Sequence, residues 1–173
     1  MRYLLLFITL VFISCGTDKK EEKPVEESTL TTYYLIRHAE KDRNIADNPG
    51  LMAIGKERAT HWANFFKDIP LEAVYSTDYN RTKETAAPIA KNKSLTVLLY
   101  NPDKLYDTEF QEATKGKNVL IVGHSNTTPS LVNTILGENK YPPISDTENA
   151  MLYKVVVSEK GETSVIIEKV EME

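Results

Sequence analysis

The sequence has little of what metal-centred and disulfide-rich proteins need. Only one cysteine and three histidines occur among its 173 residues. A structural zinc site needs paired cysteines or closely spaced histidines, and neither pattern is present. The composition therefore predicts no metal site and no other cofactor.

The chain also lacks an excess of positive charge and an apolar run long enough to span a membrane. The run at residues 3–13 is interrupted only by Thr9, but it is short of the roughly 20 residues that a spanning helix requires. The formal net charge is −4, which argues against nucleic-acid binding because such proteins present a basic surface. With 41% hydrophobic residues, a chain of this length forms one core but not comfortably two.

The N-terminal residues have the pattern of a targeting signal. Arg2 precedes the apolar run, and Ser14 and Cys15 follow it as in a bacterial lipobox, whose cysteine is lipidated. A secretory signal with an incidental cysteine is the alternative. Residues 16–32 are rich in Lys and Glu and too poor in apolar residues to fold. We predict a lipoprotein signal over residues 1–15, a flexible tether over 16–32 and a folded domain over 33–173, anchored in a bacterial envelope and facing the periplasm or the exterior.

From residue 33 onward, strand-like and helix-like segments alternate. Apolar runs at residues 33–36, 73–75, 95–99 and 118–122 are separated by helical patterns, and residues 151–170 read as a β-hairpin. Alternating strands and helices form a mostly parallel sheet that is covered by helices on both faces. We therefore predict a three-layer α/β sandwich with an antiparallel edge.

Three of the predicted strands end in, or shortly before, basic residues. Arg37 and His38 follow the first strand, Arg81 lies beyond the second, and His124 follows the fourth. Open α/β sheets bind ligands at the carboxyl ends of their strands, so these four side chains are expected to meet there. Two arginines and two histidines suit a dianionic phosphoryl group, and they predict a phosphoryl-transfer site that needs no metal.

Three motifs, in this order, resemble those of the histidine phosphatase superfamily, also called the phosphoglycerate mutase-like family. They are residues 37–40 (Arg-His-Ala-Glu), 81–86 (Arg-Thr-Lys-Glu-Thr-Ala) and 123–125 (Gly-His-Ser). The family usually has glycine where this chain has Ala39. The resemblance covers about residues 33–157, nearly all of the predicted domain.

The resemblance implies a role for each matching residue. His38 is the expected nucleophile, and Arg37, Arg81 and His124 are expected to bind the phosphoryl oxygens. Asn44 matches a phosphate-contacting asparagine of many members, although solvation in a loop is an equal alternative.

Two further roles are expected near these motifs. The position of Ser125 beside a helix start suggests a backbone donor for an anion. The resemblance also implies an acid for the leaving group, and Asp107 has the matching distance from a leucine, with Glu109 as runner-up. Either carboxylate could instead serve only the start of a helix.

These expectations favour a lipid-anchored phosphatase of a small phosphorylated substrate. The alternatives are a phosphohistidine protein phosphatase, a phosphoglycerate mutase-like enzyme and a non-catalytic phosphate-binding lipoprotein. The segment of residues 101–117 leaves little room for the lid that mutases of this family carry. The uncertain acid keeps the non-catalytic alternative open.

Overall fold

The computed structural model describes residues 30–104 and 106–172. The predicted signal segment, Cys15 and residues 16–29 of the predicted tether lie outside this part of the chain. Within it, no helix is both long enough and apolar enough to cross a membrane.

The domain is built on one six-stranded sheet with the order β3-β2-β4-β1-β5-β6. The strands are β1 (Thr31–Arg37), β2 (Ala73–Ser76), β3 (Val97–Leu99), β4 (Asn118–Gly123), β5 (Met151–Val157) and β6 (Thr163–Lys169). The first four strands run parallel to one another, and β5 and β6 add an antiparallel edge beside β1. The predicted fold class is confirmed. The first strand begins two residues before the predicted domain boundary.

Four helices cover the sheet. They are α1 (Ala53–Phe65), α2 (Asn80–Asn92), α3 (Thr108–Thr114) and α4 (Thr127–Leu136), and a 3-10 turn over Phe66–Asp68 extends the first. Helices lie between the strand-like runs, as the alternating pattern of the sequence predicts.

Alternate residues of β1 serve two separate cores. Tyr34 and Ile36 pack with Trp62 of α1 and Ile89 of α2 on one face, whereas Tyr33 and Leu35 and their neighbours pack against α3 and α4 on the other. Every residue of β1 is buried, as expected for a central strand covered on both faces.

The strand register brings the basic motifs to one edge of the sheet. Arg37 pairs with Gly123 across β1 and β4, and Ser76 pairs with Val122 across β2 and β4. The residues that follow these three strands therefore emerge side by side. A Cβ at Gly123 would lie 2.9 Å from the hydroxyls of Thr127 and Thr128, so this crowded strand end requires glycine.

Candidate active site

The four basic side chains predicted from the sequence lie together at the carboxyl edge of the sheet. His38 follows β1, His124 follows β4, and Arg81 is in the first turn of α2. The two imidazole rings are 5.5 Å apart between centroids and are inclined at 68°. Arg81 contacts the ring of His124, with its Nη2 3.3 Å from Nδ1 of that histidine.

The tautomer of His38 is set by its own backbone. Its Nδ1 lies 2.7 Å from the carbonyl oxygen of Ala39, which can only accept, so Nδ1 carries the proton. Nε2 then presents a lone pair, and no described residue hydrogen-bonds to it. Burial lowers the pKa of His38 to about 3, and the charges of Arg37 and Arg81 act in the same direction. His38 is therefore neutral near pH 7, as a nitrogen nucleophile must be.

The tautomer of His124 is set by two neighbours. A guanidinium only donates, so Nδ1 of His124 accepts from Arg81, and Nε2–H donates to the hydroxyl of Thr77 at 2.8 Å. Burial lowers the pKa of His124 to about 4, helped by the charges of Arg81, Arg37 and Lys41. Thr77 follows β2 directly, so three parallel strands contribute to the cluster.

The guanidinium of Arg37 is bound by residues 145–148 along one edge, and its other edge stays free. Its side chain is 3% exposed. Nη1 donates to the carbonyls of Ser145 and Glu148, and Nη2 donates to Asp146 at 2.7 Å. A guanidinium has five N–H donors, so Nε–H and one Nη2–H remain, and Nε is buried without a partner.

Arg81 supplies the second unpaired donor of the site, after that of Arg37. Its guanidinium lies 4.5 Å above the ring of Tyr79, which also contacts His124 edge-on. Its Nε is buried and has no hydrogen-bond partner. Unpaired buried donors cost free energy, and two of them beside a neutral histidine form a site that a phosphoryl group would complete.

Residues 33–102 match the model of the histidine phosphatase superfamily (branch 1). Solved structures with the same fold include a mycobacterial glucosyl-3-phosphoglycerate phosphatase, which is 11% identical with a TM-score of 0.64 over 82% of this chain and 100% of that one. The protein histidine phosphatase SixA, in complex with tungstate, is 16% identical with a TM-score of 0.65 over 80% and 96%. A phosphoglycerate mutase from Bacillus anthracis is 20% identical with a TM-score of 0.61 over 83% and 94%.

This segment of the chain, residues 33–102, is similar to the histidine phosphatase superfamily. No curated protein matches the chain. The solved structures establish the shared fold, and their named activities differ among themselves. These similarities therefore leave the reaction to be argued from the site.

Ala39 replaces the glycine that is usual in histidine phosphatases, and the fold accommodates it. Ala39 is fully buried against Leu51 and Ala59, and its N–H donates to the hydroxyl of Thr85 on α2. Its φ is not among the positive values of the described residues, so a Cβ introduces no backbone strain there.

The side chains of Asn44 and Ser125 make no hydrogen bond to the four basic residues in the part of the chain that the structure describes. Asn44 is exposed, and both its backbone and its side-chain amide donate to Asp42. The alternative of a solvated loop residue therefore describes it in this structure. Ser125 follows His124 and is partly exposed, and its carbonyl accepts from Ile144; no hydrogen bond of its hydroxyl is made within the described residues.

The structure does not bring Asp107 to the cluster of basic side chains around His38. Its carboxylate caps α3 and accepts from the N–H of Phe110 at 2.9 Å. Its chain neighbours Tyr106 and Thr108 line a cavity with Thr31 and Tyr33, at the opposite end of β1 from His38. Glu109 lies in the first turn of the same helix and is exposed. The carboxylate is thus used to start a helix, as the alternative prediction proposed.

Four residues that the sequence did not indicate also shape the site. Thr77 bonds His124, Tyr79 lies under Arg81, Asp146 pairs with Arg37, and Asn149 donates to the carbonyl of His38 at 2.8 Å. Thr77 was within reach of the sequence, because it directly follows a strand. Asp146 and Asn149 come from a loop more than 100 residues away from their partners, and no local pattern signals them.

Within residues 30–104 and 106–172, no group of three or more histidine, cysteine or carboxylate side chains is placed to hold a metal ion. The carboxylates nearest the motifs are instead paired with cations. Glu40 binds Arg58 at 2.8 Å, and Asp146 bridges Arg37 and Arg43 at 2.7 Å each. The free groups of the site are therefore nitrogen nucleophiles and cationic donors.

Proposed function

We propose that this protein is a metal-independent phosphatase that hydrolyses a small phosphorylated substrate through a phosphohistidine on His38. The observation that carries the proposal is the buried, neutral His38, whose Nδ1 proton is fixed by Ala39 and whose Nε2 lone pair is free. An unprotonated ring nitrogen at the edge of a cationic cluster is suited to attack phosphorus.

The first step transfers the phosphoryl group to the enzyme. Nε2 of His38 forms a bond to phosphorus while the bond from phosphorus to the leaving group breaks. The unpaired Nε–H groups of Arg37 and Arg81 hold the equatorial oxygens, over which the charge of the transition state is spread. In the second step water attacks phosphorus, the P–N bond breaks, and its electron pair returns to Nε2.

His124 contributes a polar contact to the same group. In this structure its Nδ1 accepts from Arg81. When a phosphoryl oxygen takes that guanidinium donor, Nδ1 is released, and protonation of His124 beside a dianion becomes favourable. The charges of Arg81, Arg37 and Lys41, which lower the pKa of His124 in this structure, are then neutralised by the substrate.

A second candidate, hydrolysis of phosphohistidine in proteins, is favoured by the position of Asp107. A nitrogen-linked phosphate needs less help from a dedicated carboxylic acid than an alkyl ester does. Asp107 caps a helix and Asp146 and Glu40 are ion-paired, so none of these three carboxyl groups is free to protonate a leaving oxygen. A phosphoglycerate mutase has no comparable support from the site.

Activity of the purified full-length chain tests the proposal. Phosphate release is measured with alkyl phosphates, an aryl phosphate and a phosphohistidine peptide, with and without chelator. We expect turnover that survives the chelator, is abolished in His38→Asn and is reduced in Arg81→Gln. Lys56→Met, on the exposed side of α1, is the control. Wild-type rates in His38→Asn would refute the mechanism, and complete loss with the chelator would refute metal independence.

We infer further that the domain is anchored to an envelope membrane through Cys15. The support is the sequence alone: a short apolar run, Ser14 before the only cysteine, and a charged segment before the domain. An envelope location would place the site in contact with extracytoplasmic phosphate compounds.

A further inference from the structure

A cation beside the site is not used by the steps above. Lys41 is partly buried, and its ammonium makes no hydrogen bond or ion pair with the residues that the structure describes. Its backbone pairs with Leu51, which fixes the start of the side chain. A partly buried lysine whose ammonium has no partner among the described residues is available to bind a further group.

Three carboxylates near Lys41 are engaged elsewhere, and a fourth, Asp47, lines one cavity with it. Glu40, its neighbour in sequence, is bound by Arg58 through both oxygens. Asp42 accepts two hydrogen bonds from Asn44, and Asp146 holds Arg37 and Arg43. The Lys41 ammonium is therefore available to donate a hydrogen bond to a bound substrate.

The position of Lys41 shows where that acceptor would lie. It lines a cavity of about 70 Å3 together with Arg37 and His38. It also lines a cavity of about 460 Å3 with Tyr79 and Arg81. Lys41 and Arg43 are common to both, but Arg43 is already paired with Asp146. The charge of Lys41 is also close enough to lower the pKa of His124.

A substrate placed in these two cavities has its scissile bond near their junction. The phosphoryl group would occupy the cationic cluster, and the 460 Å3 cavity is the space available for the organic part. The bridging oxygen joins the two parts, so it lies where Lys41 can reach it.

We propose that Lys41 is the catalytic acid that protonates the leaving oxygen of a phosphate ester, in the role that Asp107 does not fill. This inference rests on the proposed function. As the P–O bond breaks, its electron pair goes to the departing oxygen, which takes a proton from the Lys41 ammonium. The resulting amine takes a proton back from the water that attacks the phosphohistidine, so each turnover leaves Lys41 as it began. An alkoxide is a far stronger base than an amine, which makes the first transfer favourable.

The test compares how fast the full-length protein hydrolyses two phosphate esters. Lys41→Met should lower kcat/KM for an alkyl phosphate by roughly 100-fold or more, the size of a general-acid effect. The effect on a nitrophenyl phosphate should stay within about threefold, because that leaving group departs without a proton. Lys56→Met, on the exposed face of α1, should match the wild type with both substrates.

Two further variants separate proton donation from charge alone. Lys41→Arg keeps the positive charge but supplies a group that does not give up its proton, so the alkyl ester should remain slow. Lys41→Ala should regain alkyl-ester turnover when a small primary amine is added, which a purely structural role of Lys41 would not produce.

The outcomes distinguish this inference from the function on which it rests. A wild-type protein without hydrolytic activity overturns both. An active wild type with equal losses for the two esters in Lys41→Met, or with full alkyl-ester activity in Lys41→Arg, overturns only the role of Lys41. Loss confined to the alkyl ester, with amine rescue, supports it.

Discussion

The neutrality of His38 predicts how the stability of the domain depends on pH. The pKa of His38 is about 3 in the folded protein, against an ordinary value of 6.5. Between these values the unfolded chain binds more protons than the folded one, so the free energy of unfolding must fall as the pH falls. The loss begins near pH 6.5 and continues until the folded-state pKa is reached.

The size of the effect follows from the same two values. Lowering the pH from 7 to 5 should reduce the free energy of unfolding by about 2 kcal/mol for one buried histidine with this pKa. The pKa of His124 is about 4. Its effect on stability has the same sign and covers most of the same pH range as that of His38. Because the two rings are in one cluster, their effects are not expected to add exactly as independent sites would.

Urea unfolding of the wild type and His38→Asn at pH 7 and pH 5 measures the contribution. Asparagine retains an N–H that can donate to the carbonyl of Ala39 but does not titrate. The wild type should lose about 2 kcal/mol more than the variant over this interval. Thr60→Ala on α1, which removes no titrating group, should show the wild-type loss. Equal losses in the wild type and His38→Asn would refute the claim that His38 is held neutral.

Three further predictions address the helix cap, the packing of α1 and the anchor. Asp107→Asn should change the hydrolysis of alkyl and aryl phosphates by less than about twofold, because asparagine also caps helices. Asp107→Ala should cost about 1 kcal/mol of stability. A large loss confined to the alkyl ester in Asp107→Asn would restore Asp107 as the acid. Gly55→Ala should destabilise the domain by about 1–3 kcal/mol in urea unfolding, because a Cβ would overlap the backbone carbonyl of Glu40; a gain in stability, as helix propensity alone predicts, would contradict this packing. Cys15→Ser should abolish labelling by a fatty-acid analogue and release the protein from membranes, and unchanged labelling and partition would rule out the anchor.

The fold and the four basic groups could be predicted from the sequence for the same physical reason. Parallel strands place their carboxyl ends at one edge, so side chains that follow the strands meet there whatever the order of the strands. Arg37, His38 and His124 follow their strands directly, and Arg81 lies one short turn beyond Ser76. The detailed roles of these residues in catalysis stay predictions until activity is measured.

Groups whose position depends on loops could not be predicted in this way. Asp107 was selected by its spacing from a leucine, but an aspartate just before a short helix is also the favoured cap, and capping explains its contacts here. Asp146 and Asn149 reach Arg37 and His38 from a loop whose path depends on the antiparallel strand β5. Lys41 follows the first motif, yet only the two adjoining cavities distinguish it from an ordinary surface lysine.

Trapping of the phosphoryl enzyme tests the central claim most directly. The full-length protein is mixed with a labelled substrate, quenched within a turnover under alkaline conditions, where phosphohistidine survives, and digested for peptide mass spectrometry. We predict phosphate on His38, lability of that bond in acid, and no labelled peptide in His38→Asn. Hydrolysis at full rate with no phosphate on His38, or phosphate on another residue, would contradict the account.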